Sequence, residues 1–465
     1  MEKSPSNRDK MREMLEYSSS NDDFRESEDE WSPLHSSPEQ KRKEKTQRKM
    51  QNMSKYGCSF FFLGATLTAP LALTICAAED ILSGTVYATG WVLVAAAAQS
   101  CLMKITFLCS SCLTNLSLVT KTLGMFIFMI TGLLFLAFSV TRLDIRLIGV
   151  CFISAATGLG EMTLLVYAAT KFQEVALSAY IAGTATGGVL SVLPYVGMTS
   201  WSSINPRTAA LVPVFWPSLH LLIFAVMKTK KLTAELKGDS RIRQEIYQYE
   251  SQEIWVPFYQ ERLMQMWKSL HDFIMLFLVY FAVYLSLCGV LTTKVFSQAK
   301  DFGPREDFQH YVLSTILGEF LGRSFLSLLR SKTPGVNYKL PSVFGIIAVF
   351  LAVLFILSVW FSWISRIWVM FVVCFMQGVC SGIQASNSYH AIANRTLAEH
   401  AQFILTIAGL AESLGMMTAG LIGLHTEPAM REHCLESQYY ANQSFCMTRI
   451  KDAKFWGLGQ EGQFR

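Results

Sequence analysis

Several ionisable side chains lie inside long apolar runs, where water is scarce and each needs a partner or a task. Lys104 falls late in AQSCLMKITF, and Glu161 follows a glycine pair in TGLGEMTLL. Glu319 and Arg323 stand four residues apart in GEFLGRSF, on one face of a helix. Asn387 and His390 close a tenth run, and Glu412 is central in AGLAESLGMM. Carboxylates held away from bulk water suit proton exchange or a cationic solute, and Lys or Arg suits an anionic one. A histidine can titrate near neutral pH. Structural alternatives stand beside these roles. Lys104 is within snorkelling reach of a membrane interface. Glu319 with Arg323 can be an internal ion pair, and Asn387 with His390 can cap a helix end. Glu161 and Glu412 have no basic residue three or four positions away on their own helices, so each must face protein, water or solute.

Small residues gather beside these charges. Gly158 and Gly160 precede Glu161, and Gly183, Gly187 and Gly188 lie in AGTATGGVL. Such spacing lets helices approach closely, or bares backbone to a cavity. No nucleotide-binding loop, zinc-protease motif or paired C-x-x-C is present, and no Ser/His/Asp constellation falls within the runs. An enzyme is therefore not expected, and neither a metal site nor a cofactor.

The elements that must position these residues follow from composition. Of 465 residues, 51% are hydrophobic and 16% charged, which places the chain among polytopic membrane proteins. Eleven runs are long enough to span a bilayer, at about 20 residues each. They are 57–77, 87–108, 122–141, 146–170, 177–199, 208–227, 272–293, 311–329, 341–360, 367–389 and 402–424. The expected organisation is a polar, disordered N-terminal tail over 1–55, a six-span bundle over 56–227, a cytosolic linker over 228–271, a five-span bundle over 272–425 and a polar tail over 426–465. The N-terminal tail is too polar for a signal peptide, and its basic segment KRKEKTQRK abuts the first span. Within the linker, Leu263, Trp267 and Leu270 recur at helical spacing, as either an interfacial helix or an extension of the next span.

With the N-terminus in the cytosol, the cytosolic side carries 21 Lys and Arg and the other side seven, including Arg146, Lys294 and Arg305. That asymmetry supports a cytosolic N-terminus. Eleven spans then put Asn442, in the sequon NQS, on the lumenal side as the expected glycan site, with Cys434 and Cys446 able to form a local disulfide there.

SAATGLGEMTLL, GTATGGVLSVLPYVG, NSYHAIANRTLAEHAQF and LAESLGMMTAGLIGL, in that order, resemble the battenin family of lysosomal and vacuolar membrane proteins. The resemblance covers about 57 to 425. The matching positions are Lys104, Glu161, Gly183, Gly187, Gly188, Arg323, Asn387, His390, Glu399, His400 and Glu412. Val283 stands where the family usually has an acid, Glu319 is outside the pattern, and the internal Cys434-Leu-Glu-Ser does not match the family's C-terminal prenylation motif.

The resemblance implies an all-α bundle similar to the major facilitator superfamily, and a role in lysosomal pH and in export of basic amino acids or glycerophosphodiesters. The expected protein is a multi-pass transporter of the lysosomal or late-endosomal membrane. Its partners are the bilayer, a small polar solute and protons, with no nucleic acid. Its expected pathway residues are Lys104, Glu161, Glu319, Arg323, Asn387, His390 and Glu412. The rival expectation is a non-transporting scaffold for endolysosomal trafficking or proton-pump regulation.

Overall fold

Runs of about 20 apolar residues satisfy their backbone only as helices in hydrocarbon, and helices are what form. The computed structural model describes residues 38–85, 87–139, 142–236, 257–294, 296, 304–332, 342–396 and 400–436, with no strand among them. Contacts divide the chain into Met1–Asn52 and Met53–Arg465, and the spans lie in the second unit.

The eleven long helices are α1 (Pro38–Cys76), α2 (Gly90–Cys109), α3 (Leu118–Phe138), α4 (Leu143–Tyr167), α5 (Gln173–Val196), α6 (Phe215–Leu236), α7 (Pro257–Leu285), α8 (Pro304–Lys332), α9 (Val343–Phe361), α10 (Ile367–Arg395) and α11 (Ala401–Glu436). Each is long and apolar enough to cross a membrane. Local chemistry sets several ends. The Ser117 hydroxyl accepts from the Thr120 amide at 3.1 Å and starts α3. Pro304 opens α8, with Glu306 and Asp307 in its first turn.

Three elements run further than the sequence suggested. Of the two readings of 255–270, an interfacial helix or an extension of the next span, the extension forms: α7 starts at Pro257, and no Gly or Pro interrupts 258–285. Leu263, Trp267 and Leu270 remain exposed along that extension. Helix α10 continues to Arg395, so Asn387 and His390 are interior to it and cap nothing. Helix α11 continues to Glu436, past the expected start of a polar tail at 426, and the buried Glu427 anchors the extra turns. Of the expected N-terminal tail, 38–55 is helical and 1–37 lies outside the described residues.

Among α1–α6, α3 packs on α4 and α4 on α2, and among α7–α11, α8 packs on α10 and α7 on α10 and α11. Two seams join these halves: α2 lies against α11, and α5 against α8. Glycines set the close approaches. A side chain at Gly183 or Gly187 would meet the α1 carbonyls of Phe61 and Ala65. Gly318 and Gly322 of α8 face Gly378 and Gly382 of α10 in the same manner.

Candidate functional site

Between the halves lies a cavity of about 1320 Å³, part of it open solvent, lined from α1, α2, α4, α5, α7, α8, α10 and α11. Both seams contribute a cation to it. In α2, Lys104 is 1% exposed and pairs with Glu161 of α4 at 2.9 Å. Its ammonium also donates across the α2–α11 seam to the Gly409 carbonyl at 3.0 Å and the Ser413 hydroxyl at 2.6 Å. This burial excludes the snorkelling alternative. In α8, Arg323 pairs with Glu319 one turn earlier. Its guanidinium also donates across the α5–α8 seam to the Thr184 hydroxyl at 2.7 Å, and to the Tyr280 hydroxyl of α7 at 2.7 Å.

The two cations thus play matching parts. Each is neutralised by a carboxylate of its own half, and each reaches a hydroxyl of the other half. Removing Glu161 alone would strand the buried Lys104 charge, typically at about 3–5 kcal/mol.

Glu412 is different. It lines the same cavity, and the Tyr389 hydroxyl of α10 donates to it. No ion pair joins it to a basic side chain among the described residues. Three carboxylates therefore meet two cations in this cavity, and the unmatched one lies on α11. A group of this kind can take up a proton or face a positively charged group of a solute.

Of the sequence-predicted residues, Lys104, Glu161, Glu319, Arg323 and Glu412 converge on the cavity, and Gly188 lines it too. Asn387 and His390 are buried but are not among its lining residues. Asn387 accepts from Arg330 at 3.3 Å, and His390 lies 3.1 Å from the Ser178 hydroxyl of α5. Gly158 and Gly160 pack instead of lining space: a side chain at Gly158 would meet Ser100 of α2, and one at Gly160 would meet Leu67 of α1. Cys434 is disulfide-bonded. Its expected partner Cys446, the sequon Asn442 and the family position Glu399 lie outside the described residues. Among the described residues no group of three His, Cys, Asp or Glu is placed to hold a metal ion.

Sequence reasoning missed the tyrosines. Tyr180, Tyr280, Tyr284 and Tyr389 all line the cavity. Their signal was position, since a mid-span tyrosine must find a partner for its hydroxyl, whereas an interfacial one reaches water. It also missed Asp80, a buried acid just past α1 that pairs with Arg305 of α8. The sequence had supplied Arg305 only as a topology charge.

The family described as CLN3 protein matches residues 58–433. Battenin of the dog is 25% identical over 296 residues, 60% of this chain and 63% of that protein, so the match spans less than two thirds of that relative. Protein BTN1 of Yarrowia lipolytica is 25% identical over 301 residues, 62% of this chain and 73% of that one. Protein BTN1 of Saccharomyces cerevisiae is 24% identical over 348 residues, 68% and 79%. Among solved structures, a POT family transporter in complex with 5-aminolevulinic acid superposes with a TM-score of 0.53 at 11% identity, over 82% of this chain and 92% of that one. Another, in complex with a thioalcohol-conjugated peptide, gives 0.52 at 11% identity over 81% and 91%. At that identity the likeness establishes the fold alone, an all-helical multi-span bundle.

Proposed function

The chain belongs to the CLN3 protein family, and from that premise we propose that it moves a small polar solute across the lysosomal or vacuolar membrane by alternating access. The supporting observation is the cavity between the halves, with an ion pair at each seam and one unmatched carboxylate, Glu412. In this reading α1–α6 and α7–α11 are the two bundles that rock about the site. Glu412 carries the proton, which links solute movement to lysosomal pH. The solute is a basic amino acid or a glycerophosphodiester, as the family resemblance implies. The N-terminus is cytosolic, as the Lys and Arg distribution supports, so the end of the bundle that carries Asp80 and Arg305 faces the lumen.

Flux of arginine and of glycerophosphocholine, measured with the full chain in liposomes under an imposed pH gradient, tests this. The expected outcome is gradient-dependent flux of at least one solute, abolished in Glu412→Gln with abundance intact. Glu161→Gln is a poorer probe, because it strands the buried Lys104. Normal flux in Glu412→Gln would remove that residue from the pathway. Absence of flux for both solutes in the unmodified chain would favour the trafficking or pump-regulating scaffold. Orientation has its own check: a glycan removed by N-glycosidase and lost in Asn442→Gln is expected, and a glycan at Asn115 or Asn394 would overturn the topology.

A further inference from the structure

We propose that Tyr180 and Arg323 form a subsite for an anionic oxygen group of the solute, a carboxylate or a phosphate. The inference rests on the transporter reading above and assigns part of its cavity. It follows from asking which donors already have acceptors. An ammonium has three N–H groups, and those of Lys104 are engaged by Glu161, the Gly409 carbonyl and the Ser413 hydroxyl. Lys104 is charged but has no donor left to offer.

Arg323 differs. Its Nη1 donates to Thr184, and its Nη2 to Tyr280 and Glu319, but its Nε has no acceptor and is buried. A second donor in the same cavity shares this condition. The Tyr180 side chain is 3% exposed, lines the cavity, and its hydroxyl has no hydrogen-bond partner.

The two are neighbours by construction. Tyr180 and Thr184 lie one turn apart on one face of α5. The guanidinium that bonds Thr184 is thereby within electrostatic reach of the Tyr180 phenol, as are the Glu161 and Glu412 carboxylates, which act on it more strongly. Buried donors without acceptors are costly, and native structures seldom keep them without a use. Two such donors, one from each side of the α5–α8 seam, call for one acceptor with several lone pairs. A carboxylate or phosphate supplies these, and charge-assisted bonds to it are the stronger kind. Glu161, Glu319 and Glu412 line the same cavity and oppose an anion. Directed hydrogen bonds therefore matter more than net charge for holding it.

Three probes with a common amine separate the possibilities: ethanolamine, β-alanine and phosphoethanolamine. Each is titrated against the purified full chain, with binding read from thermal stability. At least one anion-bearing probe should bind about tenfold or more tightly than ethanolamine, and the tighter of the two identifies carboxylate or phosphate. Tyr180→Phe and Arg323→Lys should each weaken that probe about tenfold, the effect of losing one hydrogen bond to a charged group. Ethanolamine should be unaffected. Tyr180→Phe should not lower the melting temperature of the unliganded protein, because it removes a hydroxyl that has no partner. Equal binding of all three probes, binding of none, or unchanged affinity in Tyr180→Phe would overturn the subsite, leaving water as the partner of both donors. If gradient-driven flux stands while Tyr180→Phe binds normally, only this subsite falls. If flux and probe binding both fail, the transporter reading falls with it.

Discussion

Two arginines of α8 reach the N-terminal half beside a carboxylate, and the two crossings are built differently. Near one end of the bundle, Asp80 accepts from Arg305, at 2.8 Å from Nη2, from the Tyr195 hydroxyl at 2.6 Å and from the Gln309 amide at 2.9 Å. Gln309 in turn accepts from Ser200 at 2.6 Å and Thr199 at 3.1 Å. Every one of the Asp80, Arg305, Tyr195 and Gln309 side chains is buried. At the α5–α8 seam, Glu319 is 26% exposed and Arg323 keeps an unengaged Nε. The same residue types therefore do different work. The Asp80 network is buried throughout, and the Arg323 crossing leaves one donor without an acceptor. The α2–α11 seam has a similar division: near one end Glu427 accepts from the Thr89 amide at 2.7 Å and hydroxyl at 2.6 Å, while further along Lys104 reaches Gly409 and Ser413.

The contrast is most exposed to refutation at the closed end. Asp80→Ala leaves Arg305 buried without its acid and should cost about 3–5 kcal/mol, read as lost folded yield or a lowered melting temperature in detergent. Adding Arg305→Ala should recover part of that loss. A cost near that of a surface change would mean the network does not hold the seam.

The open crossing should be more forgiving. Arg323→Ala is expected to cost about 1–3 kcal/mol, between surface and buried pairs, because Glu319 retains contact with solvent. The double change with Glu319→Ala should be milder than the single one. Equal damage with and without Glu319 would show that Arg323 acts alone. On the other seam, Ser413→Ala removes one acceptor from Lys104 and should cost about 1 kcal/mol.

A pH-dependent effect concerns Lys294, just past α7 on the same end as Asp80. It is buried, donates to the Ser358 carbonyl at 3.3 Å, and forms no ion pair among the described residues. Burial pushes its pKa down from the ordinary lysine range to about 8. Between pH 8 and the ordinary value the unfolded chain therefore holds more protons than the folded one, and stability should rise with pH across that window. Thermal melts of Lys294→Met should lack that rise, and an unchanged slope would refute the assignment.

Much of this protein was legible along the chain. Eleven apolar runs gave eleven helices, because in hydrocarbon a segment of that length has no other way to satisfy its backbone. Lys104, Glu161, Glu319, Arg323 and Glu412 stood out because charge inside such runs is costly, and only Glu319 and Arg323 could be paired from sequence, being one turn apart on one helix. Helix ends were less legible: α7 began well before its apolar segment, with no Gly or Pro over 258–285 to stop it, and α11 ran past its own through Pro428. What only the tertiary structure decided is who meets whom. Lys104 finds Glu161 on another helix, Asp80 finds Arg305 on the far half, and Asn387 and His390 find Arg330 and Ser178 outside the cavity lining. Those outcomes depend on each helix's rotation, depth and neighbours, which the local pattern does not encode. Whether Tyr180 has a partner is a property of the packed bundle, and it is there that the charges acquire their different tasks.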